Sequence, residues 1–360
     1  MWDRRLIQIL VVLFFLVSVV GLFRAVVAGA EGEMPVPRGN RLLGMAVSES
    51  ENKNFDAAMA LAKSAGVQVV NLKLDWDEVE KKPGVFDSPW PKVANLYYPP
   101  QKVQLSLRLS TLDTSQNRIP KDLRGKPFDD PAVIERFNRF LDYVLDQMPD
   151  LTLAELSIGN EVDGVLGTDE KKWEQYARFF VATREHAGQK RKDLKVGVSI
   201  MFSGHTGPAA RCAEAINRQT DVVMVSYYPL DSAFKVRDPK VVHEDFETIC
   251  QKYPKRPISF LEAGYPSGER CGSSELKQQQ FVEELFAAWD RHAEQIECIT
   301  FVWLNDTSAS AVKGFTKYYG SSNPAFVDYL STLGLRTFKG AGVDKLGFTA
   351  LKMQSKARGW

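Results

Sequence analysis

The feature that most constrains the fold of this chain is a regular alternation, from Arg41 onward, of short apolar runs with longer amphipathic segments. Alternation of this kind is typical of βα units, in which a helix joins each parallel strand to the next. Eight of the apolar runs predict strands, at residues 42–47, 67–74, 103–109, 153–158, 195–200, 222–226, 258–261 and 298–303. Eight strands with intervening helices predict a single α/β domain of the (β/α)8 TIM barrel type.

The amphipathic segments supply the helices that this fold needs. Apolar residues spaced by three and four predict helices at residues 55–63, 90–98, 131–147, 173–186, 209–217, 241–252, 276–295 and 324–333. The alternative is a doubly wound open sheet, which normally has a glycine-rich phosphate turn after an early strand. The barrel is favoured because the first strand is followed instead by Ser48, Glu49 and Ser50.

Polar and aromatic side chains collect at one end of the predicted strands. In a barrel, the C-terminal ends of all eight strands open on one mouth, and active sites lie there. In order from the second strand to the eighth, the residues at or next to these ends are Lys73 and Trp76, Arg108, Asn160 and Glu161, His205, Tyr227 and Tyr228, Glu262 and Tyr265, and Trp303. The opposite ends show no such series, so we expect the functional site at the C-terminal mouth.

Glu161 and Glu262 are the candidate catalytic residues. Each directly follows an apolar run, and neither has a lysine or arginine next to it in the sequence. A buried glutamate can act as a general acid, and an ionised one can act as a nucleophile. Strands four and seven lie across an eight-stranded mouth from each other, so we expect the two carboxylates to face one another. A facing pair of carboxylates predicts the hydrolysis of glycosidic bonds.

The other side chains at the mouth suit a carbohydrate. Aromatic rings stack on the apolar faces of sugars, and a few well-placed polar groups bond to their hydroxyls. The predicted substrate contacts are Asn160, Tyr227, Tyr228, Trp303, Trp76, Arg108, His205 and Tyr265. A tyrosine after the sixth strand is also in a position to donate a hydrogen bond to Glu262.

Four short motifs resemble the signature set of clan A glycoside hydrolases, which are retaining enzymes on a (β/α)8 barrel. The motifs are GNEV at the fourth strand, SYYP after the sixth, FLEAGYP at the seventh and FVW at the eighth. The segment from Trp76 to Asp87 is similar to a turn that follows the second strand in many members. Taken together, GNEV, SYYP and EAGYP are most similar to the arabinogalactan endo-β-1,4-galactanases. The resemblance extends from Leu42 to Arg336.

The resemblance implies a role for each matched residue. It makes Glu161 the acid/base and Glu262 the nucleophile of a double-displacement mechanism. The remaining implied roles are Asn160 as ligand of the sugar 2-hydroxyl, Tyr227 or Tyr228 as partner of the nucleophile, and Trp303 as platform of the −1 subsite.

The chain departs from the clan in two respects. The clan commonly has an arginine at the end of strand two, whereas this chain has Lys73 there and an arginine, Arg108, in strand three. The first three βα units also lack the sequence motifs of the galactanases. These departures affect the substrate that the resemblance implies more than the pair of glutamates.

The N-terminal segment differs from the rest of the chain. Charged residues at positions 3–5 precede an apolar run over residues 6–23, and an A-x-A cleavage pattern ends at Ala30. An uncleaved membrane tether through residues 6–23 is the alternative to a signal peptide. Either way, we expect the domain to be secreted, periplasmic or extracellular, or anchored to the membrane. The predicted organisation is a signal peptide or membrane anchor over residues 1–30, a linker over residues 31–40 and the catalytic domain over residues 41–360.

Charge, histidines and cysteines limit the other classes of function. A net charge of +1 creates no field that would attract nucleic acid. The four histidines lack metal-ligand spacing and G-x-S-x-G is absent, so we expect no metal, no other cofactor and no serine hydrolase. The expected partner is a carbohydrate substrate, and the expected state is a monomer. Two disulfides or four free thiols remain open for the cysteines, which are Cys212, Cys250, Cys271 and Cys298.

Two alternatives to hydrolysis remain open from the sequence. A barrel of this kind could bind a glycan without cleaving it, or transfer a glycosyl group to an acceptor hydroxyl during the assembly of a surface polysaccharide. A binding module has no need of both Glu161 and Glu262, whereas a transglycosylase uses the same pair. The sequence does not determine the sugar, the linkage, or endo versus exo action.

Overall fold

The computed structural model describes residues 34–360 and has the (β/α)8 TIM barrel that the sequence predicts. All eight predicted strands are present, with ends that differ from the prediction by a few residues. The strands are β1 Leu42–Ala46, β2 Val69–Asp75, β3 Gln104–Asp113, β4 Gln116–Asn117, β5 Leu153–Asn160, β6 Val196–Gly197, β7 Ser199–Met201, β8 Val223–Tyr227, β9 Ile258–Ala263 and β10 Ile296–Val302.

The strands form a barrel with parallel pairing in the order β6-β5-β3-β2-β1-β10-β9-β8-β7. Only Val198 separates β6 from β7, so these two together are the fifth barrel strand, and they bring the ends of the path together. The short β4 pairs antiparallel with β3 and forms a hairpin beyond the third barrel strand. Because the pairing is parallel, the C-terminal ends of the barrel strands share one mouth.

Helices alternate with the barrel strands, and thirteen are described within residues 34–360. Six of them begin after a capping side chain that accepts a backbone hydrogen bond; Asp130, for example, accepts one from Ala132, and Ser274 accepts one from Lys277. The helices are α1 Phe55–Ser64, α2 Trp76–Val79, α3 Trp90–Gln101, α4 Pro131–Asp146, α5 Asp163–Leu166, α6 Glu170–Lys190, α7 Phe202–Thr206, α8 Ala210–Asn217, α9 Val241–Lys252, α10 Glu275–Arg291, α11 Ala309–Tyr319, α12 Pro324–Ser331 and α13 Leu346–Arg358.

The segment that follows β10 departs from the prediction. Residues 324–333 were expected to form the eighth outer helix, but α13 takes that position and packs against α10. The helices α11 and α12 lie instead over the barrel mouth, where apolar side chains of α12 form a separate cluster with Cys271 and Leu333. We call α11 and α12, residues 309–331, the cap.

The sequence pattern does not predict the outer helix α13, because the inward face of this helix is not apolar throughout. It buries Ser355 and Arg358 as well as Phe348 and Leu351. Arg358 forms an ion pair with Asp290 of α10, with 2.6 Å between the nitrogen and the oxygen. A charged side chain therefore occupies a position where helical periodicity alone would require an apolar one.

All four cysteines are free thiols, so the alternative with two disulfides does not hold. Cys250, Cys271 and Cys298 are buried, whereas Cys212 is partly exposed. Burial raises the pKa of Cys250 to about 12 and that of Cys271 to about 11, which keeps both thiols protonated near neutral pH. These cysteines therefore behave as small apolar core residues.

The predicted export segment, residues 1–30, lies outside the described residues, so its cleavage and its possible role as a tether stay predictions. Within residues 34–360, no helix combines the length and the hydropathy that a membrane crossing requires.

Candidate active site

A cavity of about 500 Å³ opens at the C-terminal mouth of the barrel. Both predicted catalytic glutamates line this cavity, together with residues from the ends of several strands and from the cap. Six of the residues predicted from the sequence are brought together here: Glu161, Glu262, Asn160, Arg108, Tyr228 and Trp303. The mouth is therefore where the chain concentrates its carboxylates, amide and aromatic rings, as the strand-end pattern predicts.

Glu262, in β9, is held by a donor on each carboxylate oxygen. Arg108 Nη1 donates to Oε1, and the hydroxyl of Tyr228 donates to Oε2 at 2.6 Å. The guanidinium is itself fixed, because Nη2 donates to the carbonyl of Leu261 at 2.6 Å and only 2% of the side chain is exposed. Glu262 thus faces the cavity in one orientation, beside a buried cation.

Glu161 follows β5 and has a different environment. Its backbone adopts the left-handed conformation, with φ of +48°, which is uncommon for a residue other than glycine and recurs at functional sites. The residue is 7% exposed, and Thr114 Oγ1 donates to its Oε2 at 2.6 Å. Burial, followed by the negative charge of Glu262, raises the pKa of Glu161 to about 8. At neutral pH this side chain is therefore mainly a protonated acid.

Asn160 is oriented by two charged neighbours. Its Oδ1 accepts a hydrogen bond from Arg108 Nη1 at 3.4 Å, and its Nδ2 donates to Asp113 Oδ1 at 2.9 Å. A cation on one side and a carboxylate on the other determine which atom of the amide is oxygen and which is nitrogen. The second N–H of the amide has no partner among residues 34–360.

Asp113, at the end of β3, connects Asn160 to the cap. Its Oδ2 accepts hydrogen bonds from Lys73 Nζ and from the hydroxyl of Tyr318 in α11, each at 2.5 Å. Burial acts to raise the pKa of Asp113, but the charge of Lys73 and the hydrogen bonds from Lys73, Tyr318 and Asn160 outweigh it, so the pKa lies below its ordinary value. The carboxylate therefore stays ionised and accepts bonds from three elements of the mouth.

Trp303 provides the aromatic surface that the sequence predicts. The indole follows β10, lines the cavity and is stacked on Phe315 of the cap, with 5.7 Å between ring centroids and 6° between planes. The peptide bond between Val302 and Trp303 is cis. The cap thus covers one face of the Trp303 indole.

Trp76 does not reach the cavity, contrary to the prediction. The side chain is fully buried, Nε1 donates to Glu80 Oε2 at 2.7 Å, and the ring packs against Phe137 and Phe140 of α4. Glu80 also accepts a hydrogen bond from the backbone of Gly84 at 2.5 Å. The turn motif that follows β2 is therefore a structural element that fastens the loop to α4.

Tyr227, His205 and Tyr265 also lie outside the cavity. The hydroxyl of Tyr227 donates to Asp245 at 2.8 Å, and that of Tyr265 donates to the carbonyl of Arg237 at 2.7 Å. Successive residues of a strand point to opposite faces, so Tyr228 enters the mouth while Tyr227 points into the layer of helices.

His205 is fully buried. Its Nδ1 lies 2.8 Å from the hydroxyl of Tyr253, and its Nε2 lies 3.3 Å from the carbonyl oxygen of Met224. Burial lowers the pKa of His205 to about 4, so the ring is neutral. Both ring nitrogens are engaged inside the protein, and neither is available to a sugar.

Sequence reasoning missed several residues of the cavity wall. Thr114 and Asp113 were not identified because β3 continues four residues past its predicted end at residue 109. The run Leu112-Asp113-Thr114 carries no apolar periodicity that would extend the strand. The cap residues in the wall, which α11 and α12 supply, are Phe315, Tyr319, Phe326, Tyr329 and Leu330. The sequence predicts a helix over residues 324–333, but it does not indicate that this helix or the aromatic residues before it lie at the mouth.

Several solved structures share this architecture. A variant of a GH5_18 protein from Streptomyces cattleya, solved with Manβ1-4GlcNAc, has a TM-score of 0.65 and 11% identity, over 88% of this chain and 80% of that one. The exo-β-1,4-mannosidase Op5Man5 from Opitutaceae bacterium strain TAV5 has a TM-score of 0.63 and 15% identity, and the match covers 88% of this chain and 59% of that one. A β-glucosidase from Thermotoga maritima, in complex with deoxynojirimycin, has a TM-score of 0.62 and 10% identity, and the match covers 91% of this chain and 100% of that one.

No protein-family model and no curated protein matches the sequence. The similarity to solved structures, at 10% to 15% identity in these three cases, establishes the barrel fold. A fold of this kind supports many chemistries, so the function has to be argued from the cavity itself.

Proposed function

We propose that this chain is a retaining glycosidase that cleaves β-glycosidic bonds of a polysaccharide or oligosaccharide by double displacement. Glu262 attacks the anomeric carbon while Glu161 protonates the leaving oxygen, which gives a glycosyl-enzyme. Glu161 then takes a proton from water, and the water displaces Glu262 from the sugar. In the first step Glu161 supplies the proton and Glu262 supplies the attacking electron pair. In the second step water supplies both, Glu161 accepts the proton, and Glu262 leaves with its electron pair, so both side chains return to their starting states.

The observation that carries the proposal is the contrast between two glutamates in one cavity. Glu161 is buried, with a pKa of about 8, so it holds a proton that it can donate at neutral pH. Glu262 accepts hydrogen bonds on both oxygens, one of them from the guanidinium of Arg108, so it is oriented as a carboxylate. A protonated carboxyl group and a second carboxyl group oriented by donors on both oxygens, in one cavity, are the acid and the nucleophile that glycoside hydrolysis requires.

Asn160 and Trp303 complete the proposed site. The free N–H of Asn160 would donate to the sugar hydroxyl next to the scissile bond, and Trp303 would stack on the sugar ring. Arg108, in strand three, serves Glu262 where the clan commonly uses an arginine of strand two.

The test combines two variants with an activated substrate. Glu262→Ala should abolish turnover of every glycoside that the wild type cleaves. Glu161→Ala should slow substrates with poor leaving groups by about a thousandfold or more, but dinitrophenyl glycosides far less, because those need little acid assistance. Azide should restore Glu161→Ala and yield a β-glycosyl azide. Near wild-type hydrolysis by Glu262→Ala across a broad panel would contradict the proposal.

The substrate is best sought among neutral β-linked glycans. The motif similarity to endo-β-1,4-galactanases favours β-1,4-galactan as the first candidate. The names of structural neighbours add β-mannosides, β-glucosides and β-galactosides. Product analysis on these substrates also separates hydrolysis from transfer, because a transglycosylase would make longer oligosaccharides from its donor. The apolar run at residues 6–23 supports export of the domain, as a secreted or membrane-tethered protein.

A further inference from the structure

The cap places over the site a tyrosine hydroxyl that the proposed mechanism does not use. Tyr329, in α12, lines the cavity and is 8% exposed. Its ring packs edge-on against Tyr228, with 5.6 Å between centroids, and against Phe326 at 6.2 Å. Because Tyr228 donates a hydrogen bond to Glu262, the ring of Tyr329 is fixed in relation to the proposed nucleophile.

The hydroxyl of Tyr329 has no hydrogen-bond partner among residues 34–360. The nearby hydroxyls of Tyr228 and Tyr318, in contrast, donate to Glu262 and Asp113. An unpaired hydroxyl at the wall of a cavity is available to bond to a ligand or to water. Because Tyr329 lines the cavity, with its ring in contact with Tyr228 and Phe326, such a partner can approach it from the cavity.

Tyr329 lines the same cavity as Glu161 and Glu262. Burial, and then the negative charge of Glu161, raise the pKa of Tyr329 well above its ordinary value, and Glu262 contributes in the same direction. The Tyr329 hydroxyl donates to neither carboxylate, whose described hydrogen-bond donors are Thr114, Arg108 and Tyr228. The space that separates the three groups belongs to the cavity, and the phenol stays protonated and able to donate.

We propose that the Tyr329 hydroxyl donates a hydrogen bond to a hydroxyl group of the sugar that lies between Glu161 and Glu262, and so contributes to the choice of sugar. The inference rests on the proposed function, because it takes the ligand to be the sugar that the two glutamates cleave. A buried donor of this kind discriminates against a substrate that lacks the matching hydroxyl, since the donor is then left unpaired. The cap is on this view a part of the substrate site.

The first experiment compares Tyr329→Phe with the wild type on an aryl β-glycoside and its monodeoxy analogues. The variant removes only one oxygen and keeps the ring packing. We expect kcat/KM to fall about 10-fold on the parent glycoside and to stay unchanged on the one analogue that lacks the contacted hydroxyl. Equal losses on the parent and on every analogue would overturn the proposal.

The matched control is Tyr143→Phe. It also removes a tyrosine hydroxyl, one that bonds to Ser88 and does not line the cavity. This control should reproduce any general effect of losing a partly buried tyrosine hydroxyl, and it should not alter the ranking of the deoxy analogues.

The second experiment measures binding, which separates this inference from the proposed function. Calorimetry with deoxynojirimycin and its manno and galacto isomers should show about 10-fold weaker binding of the best of them to Tyr329→Phe. Weaker binding by the variant, with no glycoside cleaved by the wild type, would refute the hydrolysis and support the contact. Equal binding by both proteins, or binding by neither, would overturn the contact.

Discussion

The hydrogen bond from Thr114 to Glu161 tests how the structure sets the pKa of the proposed acid. Thr114 lies in the turn between β3 and β4, and its Oγ1 donates to Oε2 of Glu161 at 2.6 Å. Burial and the charge of Glu262 raise the pKa of Glu161 to about 8, and the bond from Thr114 opposes them because it stabilises the ionised form. Thr114→Val keeps the shape of the side chain and removes the donor, so the pKa of Glu161 should rise further.

The size of this shift follows from the strength of the bond. A hydrogen bond to a charged group contributes about 1.5–3 kcal/mol, and 1.36 kcal/mol corresponds to one pKa unit. Thr114 is only partly buried, so the lower end of that range applies. We therefore expect Thr114→Val to raise the pKa of Glu161 by about one unit.

The assay is the pH dependence of kcat/KM between pH 5 and pH 10. Glu161 must be protonated to act as the acid, so activity falls as the pH rises through its pKa. The basic limb should lie near pH 8 in the wild type and about one unit higher in Thr114→Val. Thr114→Ser keeps the donor and should keep the limb in place. A limb that does not move in Thr114→Val, or that moves to lower pH, would refute the reasoning.

Three further predictions concern stability and the cap. Glu161→Gln should stabilise the fold by about 1–3 kcal/mol at pH 8 and by less at pH 5. The pKa of Glu161 is about 8 in the folded protein and ordinarily 4.5, so the free energy of unfolding of the wild type falls as the pH rises between these values, and glutamine removes that loss. Melting curves with equal gains at both pH values would contradict this. Trp76→Phe should lower stability by about 1–2 kcal/mol through loss of its bond to Glu80, with kcat/KM within about twofold of wild type; a large loss of kcat/KM would restore Trp76 as a substrate contact. Tyr318→Phe removes the hydrogen bond from the cap to Asp113. We expect KM to rise severalfold and proteolysis within residues 309–331 to accelerate. An unchanged rate of proteolysis would show that this bond does not hold the cap.

The two glutamates were predictable because their signal is local. Asn160, Glu161 and Glu262 each come at the end of an apolar run, and a barrel has one place where strand ends can tolerate carboxylates. The count of eight strands needed no long-range information either, since each strand is a separate run of β-forming residues. Topology then brought together residues that lie far apart in the sequence.

The aromatic contacts were predicted less well because the prediction depends on the face of the strand. Tyr227 and Tyr228 are neighbours of the same chemical type, and a shift of one residue in the pleat decides which of them enters the mouth. The prediction for Trp76 was wrong for another reason. Its indole N–H donates to Glu80, and the role of Glu80 in the turn is not apparent from the sequence. Burial and bonding partners, which sequence does not report, separate a stacking platform from a core residue.

The cap shows the same limit at a larger scale. Phe326, Tyr329 and Leu330 have the spacing of a helix with one apolar face, and that spacing correctly indicates a helix whose face is buried. It does not indicate what the face is buried against, and a barrel offers both its outer sheet surface and its loops. In the structure α13, whose buried Arg358 pairs with Asp290, occupies the outer position, and α12 packs over the mouth. The placement of Tyr329 in the same cavity as the glutamates therefore depends on how α12 and α13 dock, which the spacing of residues within α12 does not determine.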